Sequence, residues 1–106
     1  MVDLAARASA CGLGPVTDYG LPLRFGAFIT PSAADPAHTV DLAVHSEEVG
    51  LDLVTFQDHP YQPAFLDTWT LLSWVAASTH RVHVSGNVLS LPFRPARTLA
   101  ASRSKP

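Results

Sequence analysis

The chain has 106 residues, of which 47% are hydrophobic and 15% charged, and its net charge is −2 at neutral pH. This length leaves room for one domain at most, and the excess of apolar over charged residues argues against disorder along the whole chain. The slightly acidic balance leaves no basic surface for nucleic acid. The longest uncharged, largely apolar run, residues 68–77, has about half of the roughly 20 residues that span a bilayer, so we expect no membrane span.

The start of the chain and its cysteine content bear on the cellular compartment. Cys11 is the single cysteine, so neither a disulfide within the chain nor a four-cysteine zinc site can form. The first residues lack a basic start followed by a sustained apolar core, which argues against a secretory signal. We therefore expect a cytoplasmic protein. Glycines and prolines interrupt residues 1–22 and predict a loose leader with a short helix at residues 4–10.

Three apolar runs predict β-strands at residues 23–29, 51–56 and 82–91. The first two are too short for helices, and the third is rich in valine, which favours extended structure. The runs begin at intervals of about 30 residues, close to the roughly 31 per unit of a TIM barrel. A doubly wound sheet has similar spacing, so the interval alone leaves both architectures open.

Two helices are predicted between the strands, at residues 37–49 and 68–79. Asp35 and Asp67 precede them, where a carboxylate can accept hydrogen bonds from the first free backbone N–H groups. Pro36 suits the first helical position because its ring fixes φ and its missing N–H is not needed there. A left-handed glycine, Gly50, then ends the first helix.

The alternation of strands and helices predicts an α/β fold with parallel strands and helical crossovers. Residues 23–101 would form the domain, including the start of a third helix at residues 96–101, and residues 102–106 a tail. Three strands with two helices leave sheet edges and one sheet face uncovered. We therefore interpret the chain as the N-terminal βαβαβ portion of a larger barrel, apparently truncated.

The second predicted helix is apolar on nearly every side, with Trp69, Leu72, Trp74 and Val75 spread around its axis. A helix of this kind is buried on more than one face. We expect residues 68–79 to pack against the sheet and, on another side, against a second copy of the chain or a segment that the chain does not contain. The helix thus predicts a homo-oligomer.

Polar residues stand where the predicted strands end. Asp58 and His59 follow the second strand, Gly86 and Asn87 lie near the end of the third, and Thr30 follows the first. This edge of a parallel sheet is where ligands bind, and histidine exchanges protons near neutral pH. An opening turn and a strand end remain the structural alternatives for these residues.

The remaining histidines and acidic residues suggest no site. His80 and His83 have a ligand-like spacing, but no carboxylate or cysteine cluster completes a coordination set, so we expect no metal. Glu47 and Glu48 are interpreted as a solvated helix face. The sequence also contains no glycine-rich dinucleotide motif, no P-loop and no nucleophile elbow.

Three segments nevertheless carry a resemblance: LRFGAFITP, then EEVGLDLVTFQDHPYQP, then DTWTLLSWVAASTHRVHVSGNVLSLPFRPARTLA. Together, over residues 23–101, they resemble the N-terminal part of luciferase-like monooxygenases. The resemblance implies a TIM barrel and a flavin- or deazaflavin-dependent oxidoreductase, with FMN or coenzyme F420 as cofactor and a small-molecule substrate. Chemistry of this kind resides in the cofactor, while the protein supplies position and a proton relay.

The resemblance also implies roles for particular residues. His59 matches a residue that lies beside the cofactor ring and serves in proton transfer. Asp58 belongs to the same edge and could contact or orient its neighbours. Asn87 and Val88 match a position where many members have a non-prolyl cis peptide against the cofactor. Dimers in the family pack through early barrel helices, which matches the apolar helix at residues 68–79.

The chain departs from the family after Leu99, where the later strands that hold the cofactor phosphate have no counterpart. The resemblance therefore implies weak binding, or none, of FMN or F420 by this chain alone, and impaired activity. The Asp58–His59 pair favours F420. Two alternatives stay open, a non-catalytic self-associating fragment without cofactor and a small doubly wound binding domain. Whether the stop after Pro106 is biological or a frameshift also stays open.

Overall fold

A computed structural model of the chain describes residues 18–96. Their strands are β1 (Gly26–Ile29), β2 (Leu53–Phe56) and β3 (His83–Gly86), and their helices are α1 (Pro36–Glu48) and α2 (Thr68–Ser78). A 3₁₀ turn, Leu91–Phe93, follows β3. The strands form one parallel sheet in the order β1–β2–β3, which confirms the predicted α/β class and its βαβαβ order.

Some predictions fall on parts of the chain beyond this range. The loose leader with its helix at residues 4–10 lies mostly outside the described residues, and so does the tail at 102–106. The third helix start, predicted at 96–101, lies outside them from residue 97 onward. Within residues 18–96, no helix has the length and apolarity needed to cross a bilayer.

All three strands are shorter than predicted. β1 starts at Gly26 instead of residue 23, because Leu23 and Phe25 remain outside the ladder and are 70% and 60% exposed. β2 starts two residues later than predicted, at Leu53. β3 runs only from His83 to Gly86 instead of residues 82–91, since the chain turns after Gly86 and reaches the 3₁₀ turn. The apolar runs therefore extend beyond the residues that pair in the ladder, and several of their outer residues are exposed.

Both helices lie within a residue of their predicted ends, and their caps act as expected. Asp35 Oδ1 accepts a hydrogen bond from the backbone N–H of His38 at 3.0 Å, and Pro36 occupies the first turn. Asp67 Oδ2 accepts one from the N–H of Thr70, also at 3.0 Å. Gly50 has φ +92°, the left-handed conformation that lets the chain leave α1 without a side-chain clash.

The helices cover one face of the sheet and leave the other open in the described part of the chain. Strand residues alternate in direction, so Val54 and Phe56 are fully buried under the helices, whereas Phe28 on the opposite face is 59% exposed. The buried apolar core consists of Ile29, Val40, Ala43, Val54, Phe56, Leu71, Val75 and Val82. The uncovered face agrees with the expectation for three strands and two helices.

Only some of the apolar side chains of α2 are buried in contacts with the rest of the described chain. Leu71 and Val75 are buried against the sheet side, while Trp74 is 46% exposed on the other side of the helix. Ala76 and Ala77 are exposed as well. Packing of this side against a second copy stays a prediction.

Glu47 corrects the interpretation of a solvated acidic face. Its carboxylate accepts hydrogen bonds from the backbone N–H groups of His80 at 3.0 Å, Arg81 at 2.6 Å and Val82 at 2.8 Å. These bonds, led by that of Val82, lower the pKa of Glu47 from 4.5 to about 2. Glu48 does fit the interpretation, since its side chain is 67% exposed. Glu47 thus fastens the end of α1 to the segment that leads into β3.

Candidate active site

The carboxyl ends of the three strands meet at one edge of the sheet because the strands are parallel. Residues 57–61 follow β2 there, and residues 87–94 follow β3. We refer to these two segments as the rim. The rim contains all four predicted site residues: Asp58, His59, Asn87 and Val88.

His59 lies on the open side of the rim. The alternation of β2 continues past its end, so Asp58 is buried on the same side as Phe56 while His59 is only partly covered. The Nδ1 atom of His59 is 2.8 Å from the hydroxyl oxygen of Tyr61. No hydrogen bond to Nε2 occurs among the described residues, which leaves this nitrogen for a proton-exchanging partner.

Asp58 is the most enclosed polar residue of the rim, with 1% of its surface exposed. Its Oδ2 accepts a hydrogen bond from the backbone N–H of Ser90 at 2.9 Å, and the Ser90 hydroxyl donates to the Asp58 carbonyl oxygen at 2.7 Å. Arg94 Nη2 donates to Oδ1 at 2.7 Å. The carboxylate is therefore occupied by this chain, and it orients the segment after β3 against the end of β2.

Arg94 connects three parts of the site. Besides Asp58, its Nη2 contacts Asp67 Oδ1 at 2.9 Å, and its guanidinium lies 5.9 Å from the centre of the Trp69 ring. Burial alone would lower the pKa of Arg94, but the hydrogen bonds and charges of both carboxylates raise it. The cation is thus retained at the rim and links β2, the start of α2 and the segment after β3.

Asp67 has a double role as helix cap and as partner of Arg94. Burial alone would raise the pKa of Asp67, but hydrogen bonds from the Thr70 backbone and hydroxyl, together with Arg94, bring the pKa below its usual value. A charged Asp67 therefore stabilises the first turn of α2 and the position of Arg94 at once.

The peptide bond between Asn87 and Val88 is cis, as the family resemblance implies. The backbone N–H of Asn87 donates to the carbonyl oxygen of Phe56 at 2.7 Å, so this segment stays attached to β2. Val88 is 78% exposed. Gly86 directly precedes Asn87. A Cβ atom at Gly86 would lie too close to the side chain of Leu89, which would have to move.

The rim is an open surface and not a closed pocket. A groove of about 410 Å³ lies between β1 and α1 and is lined by Phe28, Thr30, His38 and Leu42, among others. It includes Thr30, which follows the first strand, but neither His59 nor Asn87. Within residues 18–96, no three potential metal ligands cluster.

Sequence reasoning missed Tyr61 and Arg94. Tyr61 could have been found, since His59 and Tyr61 flank a proline in a segment expected to turn. Arg94 carried no comparable signal, because its partner Asp58 is 36 positions away in the chain and no local pattern pairs the two.

Comparisons with known proteins agree with this geometry. The sequence model of the luciferase-like monooxygenase family matches residues 18–102. An F420-dependent glucose-6-phosphate dehydrogenase of Kineococcus radiotolerans is 37% identical over 91 residues, which cover 76% of this chain and 26% of the relative. The chain thus spans about a quarter of the length of that curated relative. No solved structure matches this chain.

Proposed function

Because the chain belongs to the luciferase-like monooxygenase family, we propose that it forms part of the reaction centre of an oxidoreductase that uses coenzyme F420. The observation that carries the proposal is the position of His59, partly exposed at the rim with no bond to Nε2 among the described residues. The similarity to an F420-dependent dehydrogenase supports F420 over FMN.

The rim suits the ring of such a cofactor. Tyr61, Val88 and Phe93 are all more than half exposed, and together they offer an apolar surface to a flat heterocycle. His59 lies beside Tyr61, with the two ring centres 5.5 Å apart, and Tyr61 in turn packs against Phe93. A planar, largely apolar ring with one proton-exchanging neighbour is the ligand that this surface fits best.

The described residues do not suit the charged tail. Residues 18–96 contain three arginines, of which Arg24 and Arg81 stand before β1 and β3, at the edge opposite the rim. Arg94 is at the rim, but two carboxylates already occupy it. Groups outside this range would have to hold the cofactor phosphate, so the described part supports only weak binding.

The chemistry divides between cofactor and protein. Bound F420 supplies the hydride acceptor or donor. His59 takes up or releases the accompanying proton at Nε2, the nitrogen that faces away from Tyr61. Asp58 and Arg94 act indirectly, by fastening the segment after β3 to the end of β2. The substrate is proposed to be a small molecule, and glucose 6-phosphate is the first to test because the relative acts on it.

A fluorescence titration of the whole chain with F420 tests this proposal. We expect weak binding, with a dissociation constant of about 0.1–1 mM, and weaker binding still in His59→Ala. His45→Ala is the matched control, because the His45 side chain is exposed on α1 and, among residues 18–96, forms a hydrogen bond with Glu48 alone. Equal loss in both variants or a preference for FMN would contradict the proposal, and tight stoichiometric binding would contradict the expected weak affinity.

A second candidate is a non-catalytic chain that self-associates through α2. The exposed side of that helix, with Trp74 and its neighbouring alanines, favours it. Exposed tryptophan is enriched at protein interfaces. This candidate predicts that F420 leaves the chain unaffected at any concentration, so the same titration separates the two.

A further inference from the structure

We propose that Tyr61 is a positioning residue, which holds the imidazole of His59 in one orientation while Nε2 gains or loses a proton. The inference rests on the proposed function for the use made of His59. The pairing itself can be tested without any cofactor.

The local sequence explains why the two side chains meet. The backbone N–H of Gln62 donates to the carbonyl oxygen of His59 at 2.8 Å, which closes a four-residue turn. Pro60 takes the second position of this turn, where its fixed φ is favourable. The turn brings the first and third residues, His59 and Tyr61, to the same side.

Three contacts then restrain the imidazole ring. The Tyr61 hydroxyl oxygen is 2.8 Å from Nδ1, and the two ring centres are 5.5 Å apart with an interplanar angle of 54°. The Phe65 ring lies at 6.0 Å from His59 on a further side. Phe93 in turn packs against Tyr61 at 6.0 Å. A hydrogen bond and contacts with two aromatic rings, those of Tyr61 and Phe65, therefore define the orientation of the His59 ring.

A hydroxyl is well suited to this position because it can both donate and accept. When Nε2 carries the proton of a neutral ring, the Tyr61 hydroxyl donates to Nδ1. When Nε2 is bare or both nitrogens are protonated, Nδ1–H donates to the Tyr61 oxygen instead. A carboxylate could only accept and a backbone N–H could only donate, so either would lose the bond in one of these states.

The neighbouring charges leave this pair undisturbed. Asp58 is adjacent in sequence, but its carboxylate faces the buried side and is bound by Ser90 and Arg94. Tyr61 is 67% exposed, so removing its hydroxyl creates no buried unpaired group. We therefore expect Tyr61→Phe to fold normally and to report on the orientation of His59 alone.

Nitrogen NMR of the whole chain with ¹⁵N-labelled histidines tests the pairing directly. In Tyr61→Phe, the Nδ1 resonance of His59 should move and its side-chain couplings should average over several rotamers, while the other four histidines stay unchanged. Tyr19→Phe, at a residue that is 84% exposed, should alter no histidine signal. Unchanged His59 signals in Tyr61→Phe would overturn the inference.

A kinetic measurement then tests the use of the pair. With F420 and glucose 6-phosphate as probes, Tyr61→Phe should lower kcat by about 10- to 100-fold, the cost of a misplaced reacting group, and leave KM for F420 nearly unchanged. An unchanged kcat in an active wild-type chain would overturn the positioning role. Absence of F420 binding by the wild-type chain would reject the proposed function, and the NMR result would still decide whether Tyr61 holds His59.

Discussion

At the scale of single residues, the strongest coupling at the rim joins Asp58 to Arg94. Asp58 is 1% exposed, and Arg94 provides its charge partner at 2.7 Å. A buried carboxylate that loses its partner keeps its desolvation cost without compensation. The geometry of the rim therefore depends on a cation that binds Asp58 and has no hydrogen bond or ion pair with His59, Asn87 or Val88 among the described residues.

Replacing Arg94 by methionine should lower the free energy of unfolding by about 3–5 kcal/mol, because Asp58 is left buried and unpaired. Urea denaturation measures the change, with Arg24→Met as the control at an exposed arginine. Adding Asp58→Asn to the Arg94 variant should recover part of the loss. Equal midpoints for the two arginine variants would contradict the assignment.

Glu47 gives the molecule a defined acid sensitivity. Its pKa is lowered from 4.5 to about 2, so its contribution to stability is complete above pH 4.5 and is lost as the pH falls toward 2. The Glu47→Gln variant should therefore be less stable than the wild type at neutral pH, and this difference should shrink across that interval. Glu48→Gln is the control, and a pH-independent difference for Glu47→Gln would contradict the assignment.

Sequence patterns identified residues whose chemistry is local and missed those whose partners are distant. Asp35 and Asp67 were found because a cap contacts N–H groups three residues away. Glu47 was misread because its partners follow α2, more than 30 positions along the chain. The hydrogen bonds of Glu47 and of Arg94 form only when the helices pack on the sheet, so no local sequence pattern predicts them.

At the scale of secondary structure, the helices followed the sequence closely and the strands did not. Helix ends are set by capping residues that are visible in the sequence. Strand ends are set by where a neighbouring strand pairs, and the ladder between β1 and β2 begins only at Gly26 and Leu53. Leu23, Leu51 and Leu91 are apolar but lie outside the strands.

The two helix caps offer a matched comparison. Asp35→Ala should cost about 1 kcal/mol of stability, the usual value for a lost cap. Asp67→Ala should cost more, because Asp67 also contacts Arg94 at 2.9 Å. Thermal or urea unfolding of the two variants measures the difference. Equal losses would show that the contact between Asp67 and Arg94 contributes nothing to stability.

At the scale of the whole molecule, the open sheet face and the exposed side of α2 are surfaces that single domains normally cover. The fold class, the order of the elements and the uncovered sheet face could be predicted, because the sequence shows the alternation of strand and helix segments and the number of each. The partner that covers these surfaces could not be predicted, because an apolar surface residue has the same sequence pattern whether a second copy or another protein packs on it.

Self-association through α2 can be tested at Trp74. If the exposed side of the helix joins two copies, Trp74→Glu should shift the chain from dimer to monomer in sedimentation equilibrium, because a charge would be buried at the contact. Tyr61→Glu serves as the control at an exposed aromatic residue of the rim. A wild-type chain that is monomeric at all concentrations would contradict the proposed contact.

We propose above all that the rim of this sheet receives the ring of F420. An NMR titration of the backbone amides of the whole chain with F420 tests it most directly. We expect weak binding, with shifts confined to residues 57–61 and 87–94 and lost in His59→Ala. Shifts confined to the opposite edge near Arg24 and Arg81, or no shifts at the rim, would contradict it.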